Sequence, residues 1–170
     1  MYPKEYIEYL VHFHGDRDYF ECHEVLEEYW KSVSPKNKHS IWVGLILLAV
    51  SNYHHRRGNF GGAERTMQKS IDILNKNHQQ LAELGLNAEK LFKELPSLLR
   101  DISLGANYLD YDMPIQDLSL ITTCKEICNR RSLTWCKKSD LDNKEIVHRH
   151  SLRDRSPVIQ ERLKALNKHK

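Results

Sequence analysis

His23 and Glu27 stand four residues apart, and His54 closes a later apolar segment. On a helix, an imidazole and a carboxylate at i and i+4 share one face. There they can bind one divalent ion, relay a proton, or hydrogen-bond to each other as a structural pair. The familiar helical zinc signature is His-Glu-x-x-His. Here its second His is Glu27, which argues against a protease of that class. A second set of chemistry-bearing residues lies downstream. Cys124 and Cys128 are one helical turn apart and Cys136 follows; with His148 they would make a zinc set. Structural zinc usually uses two short Cys-x-x-Cys knuckles, however, and only one pair here has short spacing, so free thiols are the expectation.

The elements that must position these groups follow from periodicity. Asp18 is a good helix N-cap, and Glu21 stands three residues on, as the carboxylate of a capping box would. From there Tyr19, Cys22, His23, Leu26, Trp30 and Val33 form one apolar stripe, with Glu21, Glu24 and Glu28 turned away. This helix should stop near Ser34-Pro35. Ser40 then caps a run from Ile41 to His55 with apolar residues on all sides, which predicts a helix buried all round. Val43, Leu47, Val50 and His54 share one line along it, so His54 should meet His23 and Glu27 where the two helices pack. Gly44 would let a neighbouring helix approach closely. Arg56-Arg57-Gly58 reads as ordinary C-terminal capping chemistry.

Around this pair, residues 3–14 predict a first helix ended by Gly15, and the stretch from Gly61 to Gly85 predicts one amphipathic helix. Two short helices, 87–94 and 96–104, complete the core, with Pro96 at a first turn. Residues 117–137 predict a weaker helix, 138–156 little regular structure, and Ser156-Pro157 the start of a last helix. The expected architecture is all-α: about five to seven helices around a buried central one. Residues 1–104 form the core, 105–116 a connector, and 117–170 a basic extension packed on the core.

Composition agrees, because seven Gly and five Pro in 170 residues suit helices better than sheets. The longest apolar run, Ile41 to Val50, is far short of the roughly 20 residues that span a bilayer, so no membrane association is expected. Met1-Tyr2-Pro3-Lys4-Glu5 has no apolar run behind a basic segment. The expectation is therefore no signal peptide, a cytoplasmic location, and reduced cysteines. Charge is segregated. Residues 1–123 carry 13 Lys/Arg against 17 Asp/Glu, whereas residues 124–170 carry 13 against 6. Arg130, Arg131, Lys137, Lys138, Arg149, Arg153 and Arg155 are the candidate contacts to nucleic acid or an acidic protein. No phosphate-binding glycine loop, nucleophile elbow or dinucleotide fingerprint occurs.

Residues 18–30 and the run Gly44-Leu45-Ile46-Leu47-Leu48-Ala49-Val50-Ser51-Asn52-Tyr53-His54-His55-Arg56-Arg57-Gly58-Asn59, continuing to Gly62-Ala63, resemble bacterial and archaeal proteins of the domain-of-unknown-function family 309. The resemblance covers about residues 6–75. It implies a small all-helical protein whose His-containing helix packs on the Gly-Leu-Ile helix. Some members carry a metal-dependent hydrolase label, which would make His23, Glu27 and His54 the metal ligands. The family pattern usually has Gln at the position of Leu47, and this difference favours a non-catalytic role. The segment from His148 to Ser156 resembles the C-terminal extension of members from Bacillus-like bacteria. Three functions stand open: a non-catalytic binding or scaffold protein, a homo-oligomer among the options, with a structural His/Glu cluster; a metal-dependent hydrolase; and a nucleic-acid-binding protein acting through the basic third.

Overall fold

In a computed structural model, residues 1–149 are described, together with Leu163, Lys164 and Leu166. Among these residues the chain forms eight α-helices: α1 (Lys4–His14), α2 (Tyr19–Val33), α3 (Ile41–Arg56), α4 (Phe60–Lys76), α5 (His78–Glu83), α6 (Ala88–Ser103), α7 (Leu118–Arg130) and α8 (Lys144–Val147). An isolated antiparallel bridge between Leu86 and Ile115 is the extended pairing described. The fold is all-α, as its periodicity predicts, and no described helix is long and apolar enough to cross a membrane.

Helix α3 lies between α2 and α4; α1 packs on α2, α6 on α4, and α7 on α1. The core is built from Tyr9, Leu10 and Phe13 of α1, Cys22 and Leu26 of α2, Leu45 and Leu48 of α3, and Met67 and Leu74 of α4, all fully or almost fully buried. Buried hydroxyls need acceptors, and here they find helix carbonyls: Tyr9 Oη donates to Leu45 O at 2.8 Å, and Ser70 Oγ to Gly44 O at 2.7 Å. Gly44 permits the close α3–α4 approach, because a Cβ there would stand 2.7 Å from Leu74 Cδ2.

Several boundaries differ from the periodic reading. The helix expected to run to Gly85 breaks at Asn77, whose Nδ2 donates to Ile73 O and to His39 O, so a side chain competes with the helical ladder. Residues 88–103 form one helix with Pro96 inside it. Pro96 is exposed, so the missing hydrogen bond falls on the water-facing side, where hydration compensates. Helix α7 stops at Arg130, and Ser132 then takes a φ of 57°. The predicted helix start at Ser156-Pro157 lies outside the described residues.

Helix α3 is also not buried all round. Its buried face carries Leu45, Leu48, Ala49, Asn52 and Arg56, while Val43, Leu47, Val50 and His54 form a half-buried stripe. That line was expected to carry His54 inward, and it is the one least covered.

Candidate functional site

Helix α2 begins where Asp18 Oδ1 accepts the Glu21 N–H at 3.1 Å. The Asp18 N–H goes to His12 O rather than to a Glu21 carboxylate, so half of the predicted capping box forms. Four residues into the helix, His23 Nε2 lies 2.5 Å from Glu27 Oε2, and Lys31 Nζ lies 2.7 Å from the other Glu27 oxygen. Partial burial pushes the Glu27 carboxyl up, but Lys31 and His23 outweigh it and hold the group below its ordinary value. The His23 side chain is 25% exposed and that of Glu27 34% exposed, so this pair sits at the edge of the apolar stripe and not within it.

Between α2 and α3, Tyr19, Phe20, His23, Val50, Tyr53 and His54 line a depression of about 180 Å³. Phe20 is its centre of packing, with ring centroids 5.6 Å from His23 and 5.9 Å from Tyr53. His54 is fixed from α4's side: Asn59 Oδ1 accepts the Gly62 N–H, so Asn59 Nδ2 is the donor to His54 Nδ1, at 3.3 Å. The structure therefore brings His23 and Glu27 together and places His54 on the rim of the depression that His23 also lines, while Glu27 is not among its lining residues. Among the described residues, no group of three His, Cys, Asp or Glu side chains is placed to hold a metal ion. The expected three-residue cluster resolves into a pair, set one turn apart on α2, and a neighbour on α3 across the depression.

The cysteine set separates similarly. Cys124 and Cys128 are buried on α7, with Cys128 close to Gly15, and burial pushes the Cys124 thiol up to about 12. Cys136 is partly buried in the following segment, where its φ is 61°. Of the basic candidates, Arg130, Lys137 and Lys138 are exposed. Arg131 instead forms a two-pronged pair with Glu8, at 2.8 and 2.6 Å, and Arg149 Nη2 lies 2.8 Å from Asp18 Oδ2. Arg153 and Arg155 lie outside the described residues.

A polar junction that shares Tyr19 with the depression is the part that sequence reasoning missed. Arg17, 2% exposed with a φ of 54°, donates through Nε to Lys137 O (2.8 Å), through Nη1 to Tyr111 O (2.7 Å) and through Nη2 to Asp112 Oδ1 (2.7 Å). One turn residue thus ties the start of α2 to both non-helical segments of the C-terminal half. Arg56 donates through Nη1 to Arg17 O (2.7 Å) and Ser139 Oγ (3.1 Å), and its guanidinium lies 4.6 Å from the centroid of the Tyr19 ring. Asp110 accepts from Tyr108 Oη and Ser139 Oγ, each at 2.7 Å, and from the Ser139 N–H; Tyr19 and Tyr108 join hydroxyl to hydroxyl. Burial raises the Asp110 carboxyl, but the Ser139 and Tyr108 donors and Arg17 outweigh it and hold it below its ordinary value. His14 completes the junction. Its Nδ1–H donates to Leu10 O at 2.8 Å, so Nε2 is the acceptor for the Met113 N–H at 3.0 Å, and the ring is neutral. Burial pushes its pKa down to about 4. The signal that could have located this junction is the inward stripe of α3, where Asn52 and Arg56 continue Leu45, Leu48 and Ala49 at helical spacing.

The profile of the family described as "Domain of unknown function (DUF309)" matches residues 6–66, which hold most of α1, all of α2 and α3, and the start of α4. The chain is 46% identical over 170 residues to "Uncharacterized protein YpuF" of Bacillus subtilis (strain 168), a similarity that covers 100% of this chain and 98% of that protein. No solved structure matches. With its helix pair α2–α3 carrying the residues of the matched segment, the chain belongs to the DUF309 family.

Proposed function

We propose that the protein is a non-catalytic binding or scaffold protein in which His23 and Glu27 form a structural pair beside the depression that His54 also lines. The observation that carries this reading is where the chemically capable groups of the matched segment are used. Asp18 caps α2 and pairs with Arg149, Arg17 holds two carbonyls and Asp112, and His55 Nε2 donates to Ala106 O at 2.8 Å. Each is an internal fastener, and buried polar groups so fastened rigidify a scaffold. His23 and Glu27 pair with each other on a partly solvated face, as groups that shape a recognition surface do.

The basic third supports the same reading in part. Arg131 and Arg149 are directed to Glu8 and Asp18 of the helical core, so two of its cations neutralise acids of the same chain. The test is metal analysis of the purified protein with a chelator melt, beside a salt titration of RNA binding. The expected result is no stoichiometric metal, an unchanged Tm with chelator, and weak RNA binding. One metal per chain that is lost in both His23→Ala and His54→Ala would overturn the reading in favour of the hydrolase. Submicromolar RNA binding that weakens steeply with salt would overturn it in favour of a nucleic-acid contact.

A further inference from the structure

Helix α2 turns a row of carboxylates away from the core. Glu21, Glu24 and Glu28 recur at three and four residues, so they share one face over about 10 Å of helix axis. With Glu27 they line a groove of about 880 Å³, which Glu145 of α8 and Arg149 also line. Glu27 is engaged by His23 and Lys31. Among the described residues, Glu21, Glu28 and Glu145 have no ion-pair partner. Like charges at helical spacing repel one another, so a cationic occupant would relieve this face.

The course of the chain selects that occupant. Arg149 lines the groove, and its Nη2 lies 2.8 Å from Oδ2 of Asp18, the N-cap of α2. Arg153 and Arg155 follow four and six residues later, outside the described residues. Extended chain of those lengths spans at most about 13 and 20 Å, enough to reach Glu24 and Glu28 from the capped end of the helix. Both arginines can repeat what Arg149 already does, a charge-assisted hydrogen bond to a carboxylate of α2. Further along, Leu163 and Leu166 are 55% and 64% exposed, which leaves the contact to the stretch nearer Arg149. So short a tether holds the arginines at an effective concentration on the order of millimolar, ahead of any free basic protein. We propose that the α2 groove is the docking site of this chain's own basic segment, residues 150–162, with Arg153 and Arg155 on Glu24 and Glu28. A face so covered is closed to other cationic partners until the segment is displaced. The proposal stands independently of the role given to the His23–Glu27 pair.

The test uses full-length protein, with a labelled synthetic peptide of residues 150–162 as the probe and its fluorescence anisotropy as the readout. Wild type, whose groove is filled from its own chain, should bind the peptide at least several-fold more weakly than the double variant Arg153→Glu, Arg155→Glu. Binding to that variant should weaken with salt. It should be lost when Glu24→Lys and Glu28→Lys are added, and if that protein does not fold, Glu28→Lys alone should weaken it several-fold. Equal binding to wild type and the arginine variant would show that the groove is open to partners in trans. Binding to neither would show that it does not recognise the segment, and equal binding of a scrambled peptide of the same composition would reduce the effect to bulk charge. A wild-type dimer in sedimentation velocity that is lost in the arginine variant would assign the groove to the segment of a second copy. Each of these four results would overturn the proposal.

Discussion

The His23–Glu27 pair and the Arg17–Arg56 junction are both charged constellations built from residues close to the start of α2 or the end of α3, yet they differ in what surrounds them. His23 and Glu27 are a quarter to a third exposed, so water shares their charges and either partner can be lost with little consequence. The Arg17 side chain is 3% exposed, and two of its three acceptors are main-chain carbonyls of segments that have no helix to hold them. Removing it leaves those part-buried carbonyls without their donor. Residue type says which chemistry is possible at each place; burial decides whether that chemistry holds the fold or faces outward.

The sharpest way to break this contrast is Arg17→Ala. Loss of three hydrogen bonds from a buried guanidinium should cost about 3–5 kcal/mol, read as a lower urea midpoint. A cost as small as that of a surface pair would erase the distinction between the two regions. Acid tests the junction through His14. Its folded pKa of about 4 lies below its ordinary value near 6.5, so the unfolded chain binds the extra proton between these limits. Stability is therefore complete above about pH 6.5 and falls as the pH drops towards 4, by up to about 3 kcal/mol from this group. His14→Gln should flatten that part of the urea-midpoint profile; an unchanged slope would remove His14 from the account. Next in size, Gly44→Ala forces a Cβ against Leu74 and should destabilise by about 1–3 kcal/mol through overpacking. An unchanged midpoint there would mean that Leu74 yields freely. Smallest is Glu27→Ala, expected to cost no more than about 1 kcal/mol, as for a solvated i, i+4 pair. A larger loss would place the pair among the buried fasteners.

The helical architecture was legible because its signals are local. Asp18 and Ser40 cap as their types require, and the apolar spacing locates α1 to α4. His23–Glu27 was legible as a pair for the same reason, being set by one helical turn. The burial of each face was not, since α3 carries apolar residues all round and only packing decides which side is covered. That is why His54 was expected inside and lies on the half-covered stripe. Arg56 followed by Arg57 reads as capping chemistry from its position alone, and nothing local pairs it with Ser139, 83 residues away.

The reach of Arg17 also sets an order of assembly. Its partners Tyr111, Asp112 and Lys137 lie 94, 95 and 120 residues along the chain, whereas α1 to α4 each meet a neighbour in sequence. Closing so large a loop carries an entropic cost before any contact rewards it. The helical stack is expected to form first, with the segments around 106–113 and 137–139 docking onto it last. On the native protein these segments should then be the first to open, and hydrogen exchange should show their amides exchanging at a lower free energy than those of α3.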